Sequence, residues 1–196
     1  MLSLLSTYVV RIVVVALVLV GDTTAFAAGF EERIAPCLAC HGETGQSEKP
    51  EVPSLGAQPV NFLLIQIYMF REKLRQVEPM TTAAQGLSDE ELRQFSAFIS
   101  KLPPPTPQPD PLDAARMEHG HVLAQRHRCG FCHRPDFSGR EQMPRLASQR
   151  EDYLVKTLRA YKNNARRGYD ASMAEVLYQI KDDEISALAY YLAHLR

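Results

Sequence analysis

Apolar residues recur at three- and four-residue spacing at the end of each half of the chain. Leu92, Phe95, Phe98, Ile99 and Leu102 form one stripe, and Ile185, Leu188, Tyr191, Leu192 and Leu195 form the other. That period places each set on one face of an amphipathic helix. Ser88 followed three residues later by Glu91 has the form of a capping box at the start of the first. Residues 59–76 and 150–166 predict middle helices, and 29–38 and 112–130 predict helices further upstream. Convincing strand alternation is absent, so the pattern predicts an all-α fold.

The polar and apolar positions also repeat. "PSLGAQPVNFLLIQIYMF" (53–70) aligns without a gap on "PRLASQREDYLVKTLRAY" (144–161), placing Pro53, Leu55, Gln58, Phe62 and Phe70 on Pro144, Leu146, Gln149, Tyr153 and Tyr161. After a two-residue difference, residues 80–102 fall on 173–195, with Leu87, Glu91 and Leu92 on Ile180, Glu184 and Ile185 and Met80 on Met173. Self-similarity on this scale marks a duplicated unit. Between the copies lies "PPPTPQPDP", with six prolines in residues 103–111. Proline runs favour an extended polyproline path, a semi-rigid spacer. The expected organisation is one domain at 28–102, a linker at 103–111 and a second domain at 112–196.

The N-terminus departs from this pattern. After Arg11, "IVVVALVLV" (12–20) precedes "GDTTAFAA" (21–28). An apolar run followed by the small-x-small Ala25-Phe26-Ala27 predicts a signal peptide over 1–27 and export to the periplasm. Because Leu2–Val10 is also mostly apolar, an uncleaved anchor and membrane association stay open as the alternative.

Composition narrows the function classes. The formal net charge is −1, and no Lys/Arg-rich run is interleaved with aromatics, so no nucleic-acid partner is expected. Residues 28–102 carry seven basic and ten acidic side chains, against fourteen and twelve in 103–196. Halves this small bury little apolar surface and often need a disulfide, metal or cofactor as a staple.

All four cysteines lie in two copies of one motif, "CLACH" (37–41) and "CGFCH" (129–133). Cys-x-x-Cys-His is the attachment sequence of a c-type haem. Cys37 and Cys40 in the first copy, and Cys129 and Cys132 in the second, supply thiols for thioether bonds, and His41 and His133 supply proximal imidazoles. A Cys₄ zinc site accounts for the cysteine pairs but not for the histidine after each. A redox CxxC wants a βαβ context that is missing here. Met80 follows His41 by 39 residues and Met173 follows His133 by 40, which suits a thioether as sixth iron ligand. Met69 reads as core and Met143 as loop. His119, His121 and His127 read as solvated residues of a polar helix rather than as a second imidazole ligand. A carbonyl at Pro53 or Pro144 could accept the proximal imidazole N–H, or each proline could simply make a turn.

The order CxxCH, Pro-x-Leu-x-x-Gln, distal Met, amphipathic helix, stated twice, resembles tandem class I cytochrome c domains of the cytochrome c4 type. The resemblance implies a few helices wrapped around each of two covalently bound haem c groups. It implies Met80 and Met173 as axial ligands beside His41 and His133, with the Pro53 and Pro144 carbonyls bonding the imidazoles. It implies a periplasmic electron carrier, not an enzyme, working between a respiratory donor and an acceptor such as a terminal oxidase. An electron-transfer subunit of a periplasmic dehydrogenase is the alternative. A dihaem peroxidase would need an open iron position, against which the paired methionines argue. Two departures stand out: "CHRPDFSG" where the first copy has "CHGETG", and the proline-rich linker.

Overall fold

The computed structural model describes residues 29–166 and 171–195, and residues 1–28, including the expected signal peptide, lie outside them. Residues 29–37 belong to one unit and the described residues from Leu38 onward to a second. The described residues of the first are helical, within α1 (29–41). The second contains α2 (Val60–Arg71), α3 (Met80–Ala83), α4 (Asp89–Ile99), α5 (Ala114–Arg126), α6 (Cys129–His133), α7 (Glu151–Lys162), α8 (Ser172–Tyr178) and α9 (Asp182–His194). Among the described residues the only β pairing is an isolated bridge between Arg140 and Met143. No helix among them is long and apolar enough to cross a membrane.

The first terminal helix, α4, starts where the sequence places it, after Ser88. Glu91 N–H donates to the Ser88 hydroxyl and Ser88 N–H to the Glu91 carboxylate, at 3.2 and 2.8 Å, closing both arms of the capping box on α4. On α9 the Glu184 carboxylate likewise accepts from Lys181 N–H at 2.8 Å. Lysine has no hydroxyl to return the bond. Asp113 caps α5 by accepting from the N–H groups of Ala115 and Arg116.

The middle helices are shorter than the apolar period predicts. α2 stops at Arg71 because Lys73 adopts φ 56°, and its last turn is closed by Lys73 N–H donating to Phe70 O. α7 stops at Lys162, with Asn164 at φ 55°. The helix expected over 112–130 is likewise divided. Arg128 takes φ 52°, so the second cysteine motif begins a separate short helix, α6.

In the first half α2 packs on α4, burying Leu63, Met69 and Phe70 on one and Leu92, Phe95 and Ile99 on the other. In the second half α5 and α7 both pack on α9 around Leu123, Leu154, Leu158, Ile185, Leu188 and Leu192. Gly120 sits at the α5–α9 crossing, where an added Cβ would lie 2.4 Å from the Ala187 carbonyl oxygen. The linker has no regular secondary structure and does not hang free: Thr106 donates both its N–H and its hydroxyl to Gln46 Oε1, at 3.1 and 3.0 Å.

Candidate cofactor sites

Each CxxCH ends in a buried imidazole. His41 and His133 are each 4% exposed. His41 Nδ1 lies 2.8 Å from the Pro53 carbonyl oxygen, and His133 Nδ1 lies 2.9 Å from that of Pro144. A carbonyl can only accept, so Nδ1 carries the proton and Nε2 carries the lone pair. Burial lowers the pKa of both imidazoles, outweighing the opposite effect of the carbonyl bond, and keeps them neutral. His133 Nε2 is enclosed with no hydrogen-bond partner. A buried, partnerless lone pair on a neutral, oriented imidazole is the donor that a haem iron requires.

Each motif is followed by a residue with positive φ that turns the chain sharply after the histidine. Gly42 does so at φ 86°, and a Cβ there would lie 2.0 Å from the Gln46 carbonyl oxygen. Its counterpart Arg134 holds φ 68° and ψ 157°, a region normally left to glycine. The atypical "CHRPD" thus reproduces the turn of "CHGET" at the cost of backbone strain. No disulfide joins any of the four cysteines. Burial raises the Cys129 thiol pKa, and Cys40 Sγ lies 3.4 Å from Lys49 Nζ.

The methionines sort by position. Met80 opens α3 and Met173 is the second residue of α8; both are half-buried, and Met173 packs on the second-half core. Met69 is buried at 6% exposure on α2, and Met143 lies in a loop, paired with Arg140. His119 is exposed and His121 half-exposed, but His127 differs from the solvated reading: its Nε2 is enclosed and without a partner. His194 is buried, with Nδ1 2.8 Å from the Tyr190 carbonyl oxygen, the i−4 position on α9.

Two features of the contact between the halves are absent from the sequence reading. Gln58 and Gln149 each cross to the opposite half: Gln149 binds the N–H and C=O of Ser54, and Gln58 those of Arg145. Their gap-free alignment was the available signal, but it named no partner. Arg75 and Arg166 also approach each other, both reaching Gln66 Oε1. Burial pushes the neighbouring Tyr153 phenol up, yet the two guanidinium charges outweigh it and bring the pKa down to about 7. Arg75 Nε and Arg145 Nε are buried without partners.

The likeness to known proteins agrees with this geometry. A model of the Cytochrome c family matches residues 117–196. Cytochrome c4 of Thiocapsa roseopersicina is 31% identical over 185 residues, covering 90% of this chain and 94% of the relative. A thiosulfate dehydrogenase electron acceptor of Thiomonas intermedia is 31% identical over 170 residues, covering 81% of this chain and 78% of the relative. The crystal structure of reduced recombinant cytochrome c4 from Pseudomonas stutzeri has a TM-score of 0.78 at 26% identity, covering 87% of this chain and 98% of that one.

A helical fold carrying two CxxCH motifs, each with an oriented imidazole, defines a dihaem c-type cytochrome of class I architecture with two covalently bound haem c groups. Such a protein transfers electrons and is not an enzyme. The chain belongs to the cytochrome c4 family.

Proposed function

We propose that this cytochrome is exported to the periplasm and carries single electrons from a respiratory donor to an acceptor such as a terminal oxidase. The observation that carries the reading is the pair of neutral, buried imidazoles, each fixed by a proline carbonyl in its own half of the chain. In this reading Cys37 and Cys40 anchor the haem of domain 28–102, and Cys129 and Cys132 anchor that of domain 112–196. His41 and Met80 ligate the first iron, and His133 and Met173 the second. The haem supplies a one-electron couple and a conjugated edge for transfer. The chain's residues hold the imidazole tautomer, bring a soft thioether that favours reduced iron, and exclude water from the ligands.

A second reading makes the chain the redox partner of a periplasmic dehydrogenase. It is supported by the similarity to a thiosulfate dehydrogenase electron acceptor. Stable co-purification with a larger catalytic chain favours it, whereas rapid reduction of a membrane oxidase by the isolated protein favours the shuttle.

Denatured intact mass and two substitutions test the sites. Two haems on a chain starting near residue 28 are expected; two haems on the full-length chain would place the protein on the membrane instead. Met80→Ala and Met173→Ala should each lower the potential of their own haem and remove its far-red sulfur–iron absorption band. An unchanged band and potential in either variant would remove that methionine from the iron.

A further inference from the structure

The two crossed glutamines reach the same peptide units that orient the proximal histidines. His41 Nδ1–H donates to the Pro53 carbonyl, and the next N–H of that same peptide, Ser54, donates 2.8 Å to Gln149 Oε1. His133 Nδ1–H donates to the Pro144 carbonyl, and Arg145 N–H donates 2.9 Å to Gln58 Oε1. Each amide closes a second bond, Gln149 Nε2 to Ser54 O at 2.8 Å and Gln58 Nε2 to Arg145 O at 2.9 Å. Gln58 and Gln149 are each 4% exposed and Ser54 is 1% exposed, so water is kept from the Gln149–Ser54 bonds, and the Gln58–Arg145 bonds are part-buried.

We propose that Gln58 and Gln149 are positioning residues that tune the opposite haem. Gln149, on the second half, sets the donor strength of His41, and Gln58, on the first half, sets that of His133. A peptide whose N–H is hydrogen-bonded is polarised and becomes a better acceptor at its carbonyl. A better acceptor draws the Nδ1 proton and makes the imidazole a stronger donor, favouring oxidised iron. Docking of the halves therefore lowers both potentials. By reciprocity, oxidation of either iron tightens the docking. This inference rests on the assignment of His41 and His133 as iron ligands.

The test is a redox titration of the full-length holoprotein, with the two haems distinguished by their assigned haem-methyl NMR resonances. In Gln149→Leu the potential of the haem at Cys37 and Cys40 should rise, changing its oxidised-to-reduced ratio at fixed ambient potential by roughly three- to tenfold, where tenfold is 59 mV for one electron. The other haem should move much less, and Gln58→Leu should give the mirror result. In the reduced protein the His41 Nδ1–H resonance should shift upfield in Gln149→Leu, and that of His133 in Gln58→Leu. Gln149→Glu keeps an acceptor for Ser54 N–H and should hold the first haem at or below its native potential. It serves as the test should the leucine variant not fold, a rise then counting against the proposal. Equal shifts at both haems, a shift confined to the haem of the mutated half, or no shift would overturn the proposal. Absence of an Nδ1–H signal from iron-bound imidazole in the native protein would instead overturn the ligand assignment beneath it.

Discussion

Gly120 lies where α5 crosses α9 closely, and Gly120→Ala measures how tightly that crossing is set. An added Cβ would lie 2.4 Å from the Ala187 carbonyl oxygen and 2.4 Å from Tyr191 Cβ. Neither obstacle is the mobile end of a side chain, so the helices must separate by about 1 Å to reach ordinary contact distance. The core beside them cannot absorb that movement, because Leu123, Ile185 and Ala189 are all fully buried. Overpacking of this kind costs about 1–3 kcal/mol and opens a gap along the helices that weakens their dispersion contacts. Alanine's better helix propensity returns up to about 1 kcal/mol. A net loss of about 1–2 kcal/mol is expected, which lowers Tm by roughly 2–8 °C for a chain of this size. Thermal unfolding followed by circular dichroism reads it directly. Val122→Ala, on the same helix at 42% exposure, is the control and should change Tm little. Native stability in Gly120→Ala would refute the close approach of the two helices.

Three further outcomes test the local physics. Ser88→Ala removes one arm of the α4 capping box and should cost about 1 kcal/mol, while Lys181→Ser supplies the missing arm on α9 and should stabilise by a smaller amount, both read by urea unfolding. Arg134→Gly relieves the strained φ of 68° and should stabilise by about 1 kcal/mol, a loss of stability showing that the Arg134 side chain matters more than its backbone. The Asp152 carboxylate is pushed up by burial, but its bonds from Arg150 and from the N–H groups of Glu51 and Tyr153 outweigh this and hold it below the usual aspartate value. Its folded pKa being depressed, the stabilisation is complete above the ordinary pKa of about 3.9 and is lost as pH falls through the folded value. Hydrogen exchange at the Glu51 amide should therefore lose protection in that acid range in the native protein. In Asp152→Asn the protection should be lower at neutral pH and flat with acidification; an unchanged profile would detach Asp152 from the docking of the halves.

Much of this protein is determined by short-range sequence. The all-α character, the start of α4 at Ser88 and the two haem-attachment motifs follow from helical period, side-chain capping and covalent spacing. Each of these acts within a few residues, so a linear reading reaches them. The alignment even paired Gln58 with Gln149 and Pro53 with Pro144. It did not show that each glutamine bonds across the molecule, because Ser54 and Gln149 are 95 residues apart and meet only when the halves dock. Helix ends moved for a related reason: residues such as Lys73 and Arg128 take left-handed conformations that apolar periodicity does not encode. Tertiary structure alone enclosed His127, spaced α5 against α9 through Gly120, and tied the linker to the first half through Thr106. The sequence by itself determined which chemistry the chain carries. The packing of the two halves decided which groups surround it, because burial and hydrogen bonding between distant residues exist only once both halves are folded together.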